Sequence, residues 1–283
     1  MTGREHGNAV TLGLPDQIDA CLFDLDGVLT GTAEIHARAW KEMFDDFLRN
    51  WGLRSGDPEE PFDIFRDYEE YVDGKPRLDG VRSFLASRDI HLAEGTENDP
   101  PSGLTVNALG NRKNILFADM IEKDGVRPYA GTIPYLRACA AAGKFRALVS
   151  SSANAADVAE AAGFADLLQA RVDGVTITER RLPGKPAPDT FLAAARELGV
   201  PPERAAVFED AEAGVAAGRA GGFGYVVGVD RVGHGHAEAL RAQGADVVIN
   251  DLADLLADPA TRTGPPGGST PAGADEPASA GGR

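Results

Sequence analysis

The chain has 283 residues, 28 basic and 44 acidic side chains, a formal net charge of −16 and two cysteines. That length suits one large or two ordinary domains. Two cysteines with no Cys-x-x-Cys pair or Cys/His cluster argue against a disulfide framework or a zinc site. So small a basic complement also disfavours nucleic acid, whose backbone is bound by clustered Lys and Arg. No run of about 18 apolar residues is present to span a membrane. The first residues lack the basic-then-apolar pattern of a secretory signal. The expectation is a soluble, cytoplasmic monomer that acts on a small molecule, with no membrane or nucleic-acid partner.

In chain order, residues 1–15 carry little apolar pattern and are expected to be flexible. Residues 18–23 form a short apolar run that stops at Asp24-Leu25-Asp26-Gly27, which predicts a buried strand entering a tight turn. From 32 to 123 the texture is helical. Trp40, Phe44, Phe47 and Trp51 recur on one helix face, which Gly52 is expected to terminate. Pro58, Pro61, Pro76 and residues 94–103 divide the rest into short helices and loops. Beyond Gly125, strands alternate with helices. Strands are predicted at 145–149, 205–208, 225–229 and 247–249, with helices at 153–162, 211–220 and 236–243. Such alternation implies right-handed βαβ units around a parallel sheet. The first strand has no nearby partner and is expected to join that sheet. The predicted division is an α/β core of residues 16–31 and 124–257, a helical cap of residues 32–123, and a disordered Pro/Gly/Ala-rich tail at 258–283.

In an open parallel sheet, ligands bind beyond the carboxyl ends of the strands. Polar residues stand at those positions: Asp24 and Asp26 after the first strand, Ser150 after the second, Glu209 and Asp210 after the strand at 205–208. Lys185 precedes a helix and can reach the same rim. Several carboxylates in one crevice repel one another unless a cation intervenes, and hard oxygen donors without Cys or His select Mg²⁺. A lysine beside them adds positive charge for a phosphorylated substrate, leaving one Asp free to attack phosphorus. The expected chemistry is phosphoryl transfer through an aspartyl phosphate.

Asp24-Leu25-Asp26-Gly27-Val28-Leu29-Thr30, Ser150, Lys185-Pro186 and Glu209-Asp210 resemble, in order, the four motifs of the haloacid dehalogenase superfamily. The resemblance implies a Rossmann-like parallel sheet core with an inserted α-helical cap. It implies Asp24 as nucleophile, Asp26 as general acid/base that also gives its backbone carbonyl to Mg²⁺, and Glu209 with Asp210 completing the metal site. Ser150 and Lys185 would hold the transferring phosphoryl group.

The cap extends the likeness to the β-phosphoglucomutase-like family. Thr32, His36 and Trp40 resemble its opening cap helix, Gly74, Lys75 and Arg77 a loop that meets a distal phosphate, and Lys113 a substrate-contacting position. Ser151 and Asn154 match the mutase form of the second motif, while Ala153 and Asp73 stand where a Lys is expected. A mutase needs a second cationic pocket for the far phosphate, and Arg77, Lys75 and Lys113 are candidates in an otherwise acidic chain. It also needs a lid that excludes water. His36 is expected to restrain Asp26 until that lid closes. The implied activity interconverts β-D-glucose 1-phosphate and D-glucose 6-phosphate through glucose 1,6-bisphosphate. The core motifs equally suit a sugar-phosphate phosphatase, and a non-catalytic phosphate-binding module is the third reading.

Overall fold

The computed structural model describes residues 11–56 and 60–256. The expected disordered tail and most of the expected flexible start lie outside these residues. At the start the structure differs from that expectation from Leu12 on: its side chain is buried and its carbonyl accepts a hydrogen bond of 2.9 Å from the buried Tyr135 hydroxyl. A buried phenol needs a partner, and this stretch of backbone supplies it.

Six parallel strands form one sheet: β1 (Ala20–Phe23), β2 (Phe145–Val149), β3 (Ala170–Val172), β4 (Ala205–Glu209), β5 (Tyr225–Val229) and β6 (Val247–Ile249). Their spatial order is β3-β2-β1-β4-β5-β6, so β1 sits between strands that follow it much later in the chain. Ala20 pairs with Phe145 on one side and Ala205 on the other. All four β1 residues are buried, as a strand covered on both faces requires. On one face Phe23 stacks on Phe208 at 4.5 Å and meets Tyr135 of α4 (Thr132–Ala141) edge-on at 6.1 Å. On the other, Leu22 and Val207 pack with Phe191 of α7 (Asp189–Leu198). The two cysteines are buried, free and mutually close, with Cys21 Sγ 3.8 Å from Cys139 Sγ.

The cap between β1 and β2 comprises α1 (Thr32–Ser55), a π-turn at Tyr68–Val72, α2 (Arg77–Ser87) and α3 (Val106–Asp124). It has its own apolar cluster, in which Trp40, Phe44 and Phe47 of α1 meet Phe84 of α2 and Leu109 of α3. Phe44 and Phe84 lie 4.1 Å apart, the centre of an aromatic stack that includes Trp40 and Phe62. Gly52 does not end α1. The helix continues to Ser55 and stops at Gly56, whose φ of 86° is the left-handed conformation a C-terminal glycine adopts. A glycine inside a helix costs only about 1 kcal/mol, so Gly52 is tolerated within α1.

Three core elements escaped the pattern, α4, β3 and α6 (Gly174–Arg180), while α7 is the helix expected after Lys185. β3 has only three residues at the sheet edge, too few to alternate, and α4 is a short Ala-rich helix. Helices α5 (Ala155–Ala161), α8 (Glu212–Ala220) and α9 (His236–Ala242) begin and end within a few residues of expectation. Core and cap are joined by two adjacent chain crossings, where Tyr129 N–H donates to Leu29 O at 3.1 Å and Gly31 N–H to Arg127 O at 3.4 Å.

Candidate active site

The sheet changes winding direction beside β1, and the crevice there lies beyond the carboxyl ends of β1 and β4. Asp24 leaves β1 with its backbone N–H still donating to Phe208 O at 2.9 Å, so its carboxylate is held by the ladder itself. Lys185 is 3% exposed, and its Nζ lies 2.5 Å from Asp24 Oδ1 and 2.5 Å from Glu209 Oε1. Burial alone would lower the pKa of Lys185; the two carboxylates overturn this and raise it above the ordinary lysine value. The other Glu209 oxygen accepts from Ala211 N–H at 2.9 Å.

Asp210 completes the acidic cluster with Asp24 and Glu209, one oxygen of each lying within 4.8 Å of the others. Its side chain fills the space above Gly27, where a Cβ would fall 1.7 Å from Asp210 Oδ2 and where φ is 86°. Burial, then neighbouring negative charge, pushes the Asp210 carboxyl well above its usual pKa. Asp24 moves the same way, by burial first and against the pull of Lys185. Crowded buried carboxylates of this kind call for a cation, and an all-oxygen donor set fits Mg²⁺. The Asp26 side chain is not part of this cluster.

Asp26 instead faces the first turn of α1. The Thr32 hydroxyl donates to Asp26 Oδ1, and His36 Nε2 lies 3.4 Å from the same oxygen without hydrogen-bond geometry. Burial works to raise the Asp26 pKa, but the His36 ring, the Thr32 hydroxyl and the Lys113 charge outweigh it and hold the carboxyl low. His36 stacks on Phe117 at 3.9 Å, and its Nδ1 contacts Lys113 Nζ. Burial, then the Lys113 charge, lowers the His36 pKa against the pull of Asp26. Lys113 is 3% exposed, with Trp40 and Phe117 beside its ammonium at 5.2 and 4.7 Å. Desolvation brings its pKa down to about 7.

The cap loop closes the other side of the cleft. Arg77, the first residue of α2, lines it with Nε buried and without a hydrogen-bond partner, and desolvation lowers its pKa. Lys75 also lines the cleft, but its Nζ is occupied by Ser83 Oγ at 2.9 Å and Glu70 O at 3.1 Å. Gly74 O accepts from Ser151 Oγ at 2.8 Å, and Asn154 Nδ2 donates to Asn114 Oδ1 at 2.9 Å, so two core residues grip the cap. Ser150 is 1% exposed at the tip of β2, where its hydroxyl accepts from Ser152 N–H at 3.1 Å. Trp40, Ser151 and Asn154 border the cleft; Thr32, Ser150 and Lys185 are buried, each bonded or adjacent to a residue that lines it.

Two participants were not read as site residues from the sequence. Asp73, noted there only as a missing cation, lines the cleft as a cap carboxylate, its pKa pushed up to about 7 by burial and then by Glu209. Arg231, from the loop after β5, donates through Nε to Gly27 O at 2.7 Å while its guanidinium lies 3.5 Å from the Tyr129 ring. It braces the turn after Asp26 against the crossing into the core, and no motif marks it.

The family profile of haloacid dehalogenase-like hydrolases matches residues 18–222. The chain is 54% identical over 246 residues to β-phosphoglucomutase of Mycobacterium tuberculosis, covering 87% of this chain and 94% of that protein. It is 33% identical to β-phosphoglucomutase of Bacillus subtilis, over 83% of this chain and 91% of the relative. Among solved structures, β-phosphoglucomutase from Clostridium difficile superposes with a TM-score of 0.65 at 25% identity, covering 84% of this chain and 93% of that one. With the nucleophile motif, the buried lysine and the acidic pair assembled under a helical cap, the chain belongs to the haloacid dehalogenase-like hydrolases and, within them, to the β-phosphoglucomutase-like family.

Proposed function

We propose that the protein is a Mg²⁺-dependent β-phosphoglucomutase, with residues 32–123 closing as a cap over a core made of 16–31 and 124–257. The observation that carries this reading is the second cationic pole. Arg77 brings a buried guanidinium nitrogen with no partner to the cleft wall, and Lys113 adds a buried amine. A buried guanidinium nitrogen is costly to leave unmatched, and the planar donors of Arg77 suit a phosphate. Hydrolysis of one phosphate needs only the pole at Asp24 and Lys185; turning over a bisphosphate needs both. The 54% identity to a β-phosphoglucomutase supports the same reading.

Asp24, with Oδ1 held by Lys185, offers its other oxygen to phosphorus. In one half-reaction the Asp24 O–P bond forms as the bond from phosphorus to the sugar oxygen breaks; in the other a sugar O–P bond forms as Asp24 O–P breaks. Asp26, kept ionised by its surroundings, takes the proton of the attacking sugar hydroxyl in one half-reaction. It returns that proton to the departing sugar oxygen in the other, so the cycle is proton-neutral. Asp24, Glu209 and Asp210, with the Asp26 carbonyl, would hold Mg²⁺, whose charge shields the carboxylates and the phosphoryl oxygens from one another. Ser151, Asn154 and Lys185 face the phosphoryl end; Arg77 and Lys113 take the far phosphate, and Thr32, His36, Trp40, Gly74 and Lys75 shape the cap.

Incubation with Mg²⁺, β-D-glucose 1-phosphate and a trace of glucose 1,6-bisphosphate, followed by phosphorus NMR, tests the proposal. Glucose 6-phosphate accumulating with little free phosphate is the expected result. Inorganic phosphate released in proportion to substrate lost would make the protein a sugar-phosphate phosphatase instead.

A further inference from the structure

Core and cap also meet closely at Gly184, a residue that no motif assigns a role. A Cβ placed on Gly184 would lie 2.4 Å from Pro76 Cδ and 2.5 Å from Pro76 Cγ. Carbon atoms in contact sit at about 3.5–4.0 Å, so a single methyl group there overlaps the proline ring by more than an ångström. Neither side yields easily. Pro76 is a rigid ring at the start of α2, directly before Arg77. Gly184 precedes Lys185, whose Nζ is tied to Asp24 and Glu209, and its carbonyl accepts from Ala187 N–H at 3.0 Å.

The contact therefore joins the two poles of the cleft through adjacent residues: Gly184 beside the lysine at the nucleophile, Pro76 beside the guanidinium of the cap. It works with the hydrogen bond from Ser151 Oγ to Gly74 O on the same cap loop.

We propose that Gly184 is a positioning residue, the seat on which Pro76 lands when the cap closes. Its lack of a side chain sets how closely Arg77 approaches Asp24. The seat thereby decides whether an aspartyl phosphate is delivered to a sugar hydroxyl or lost to water. This assignment of consequence rests on the mutase reading; the seat itself rests on the packing. Gly184→Ala would hold the cap ajar by about 1 Å, a misplacement that costs on the order of 10²-fold in a positioned reaction. Removing the ring atoms with Pro76→Ala makes room for the added methyl.

The test compares wild type, Gly184→Ala, and the double variant Gly184→Ala/Pro76→Ala in the phosphorus NMR assay, with amide hydrogen exchange of residues 74–77 in the presence of Mg²⁺ and inorganic phosphate. Expected for Gly184→Ala are a 10- to 100-fold slower isomerisation, more free phosphate per glucose 6-phosphate formed, and faster exchange in the cap loop, all largely restored in the double variant. An unchanged partition and unchanged exchange in Gly184→Ala, or a loss that Pro76→Ala does not relieve, would overturn the proposal. If Gly184→Ala is insoluble, recovery in the double variant supports the seat, and insolubility of both overturns it. A wild type that makes no glucose 6-phosphate defeats the mutase reading alone, because the exchange data still decide whether Pro76 lands on Gly184.

Discussion

Lys113 Nζ and His36 Nδ1 are in direct hydrogen-bond contact at the inner wall of the cap. With Lys113 donating, the proton of the neutral ring is on Nε2, the nitrogen that faces Asp26. A cap residue on α3 thus touches a histidine beside the proposed acid/base. Among the described residues Lys113 forms no ion pair with a carboxylate, and burial brings its pKa down to about 7.

That value gives the first prediction. The unfolded lysine keeps its proton to about pH 10.4, so between pH 7 and 10 the unfolded chain binds more protons, and this group's penalty on stability fades as pH rises. Lys113→Met should raise the melting temperature, with a larger gain at pH 6 than at pH 9. Phosphate arriving at the cap restores the ammonium, so calorimetry at pH 8 in buffers of different ionisation enthalpy should show net proton uptake by wild type and less by Lys113→Met.

His36 and Thr32 hold Asp26 away from the carboxylate cluster. If that hold restrains Asp26 while the cap is open, His36→Ala should release it. The expected outcome is a slower isomerisation with a several-fold rise in free phosphate per turnover. A His36→Ala enzyme with both rates unchanged would remove His36 from the mechanism.

Arg77 brings to the cleft a buried Nε that has no hydrogen-bond partner among the described residues, and desolvation lowers its pKa. Loss of one partner from a buried charge pair costs about 2–5 kcal/mol, on the order of 30- to 3,000-fold. Arg77→Ala should lose that much in kcat/KM for glucose 1-phosphate, with far less effect on hydrolysis of a small aryl phosphate that never reaches the cap. Arg77→Lys should recover only part, since an ammonium lacks the planar fork.

The acidic cluster predicts a metal-linked stability. Burial and mutual repulsion raise the pKa of Asp24 and Asp210 well above the usual carboxylate value. Above about pH 4 the folded cluster therefore binds more protons than the unfolded chain, and its contribution to stability falls as pH rises. In EDTA this site should cost more melting temperature at pH 8 than at pH 5, and saturating Mg²⁺ should reverse most of the loss at pH 8. Asp210→Asn should flatten both effects in thermal melts.

Asp24→Asn keeps the shape of the site and removes the nucleophile. Isomerisation should fall by at least about 10⁴-fold, and no acid-labile phosphate should remain on the protein after a quench. Phosphoryl transfer at the wild-type rate would exclude a covalent route through Asp24.

The residues legible in the sequence were those at the ends of strong strands. Asp24, Glu209 and Asp210 follow apolar runs whose parallel pairing puts their side chains in one crevice, so finding the strands was enough. The cap was read less fully, because its geometry depends on how it folds back over the core. Asp73 looked like a lost cation, yet it faces the same cleft as Glu209. Lys75 looked like a free phosphate ligand, yet its ammonium is held by Ser83 and Glu70. Gly184 carried no signal of its own, since its role lies in an atom it lacks. Gly52 looked like a helix end because the pattern could not show that Gly56 takes that part.

The position of β1 in the sheet also bears on how the protein is made. Ala20 to Phe23 leave the ribosome before either pairing partner, and Phe208, whose carbonyl receives the Asp24 amide, is synthesised far later. At about 5–20 residues per second, the nucleophile strand waits roughly 10 to 40 seconds for β4, exposed and apolar. The cap, whose aromatic cluster is drawn from one continuous stretch, can gather in that interval. Translation pauses before residue 205 should therefore lower soluble yield more than pauses after it, because only the arrival of β4 shields both edges of β1.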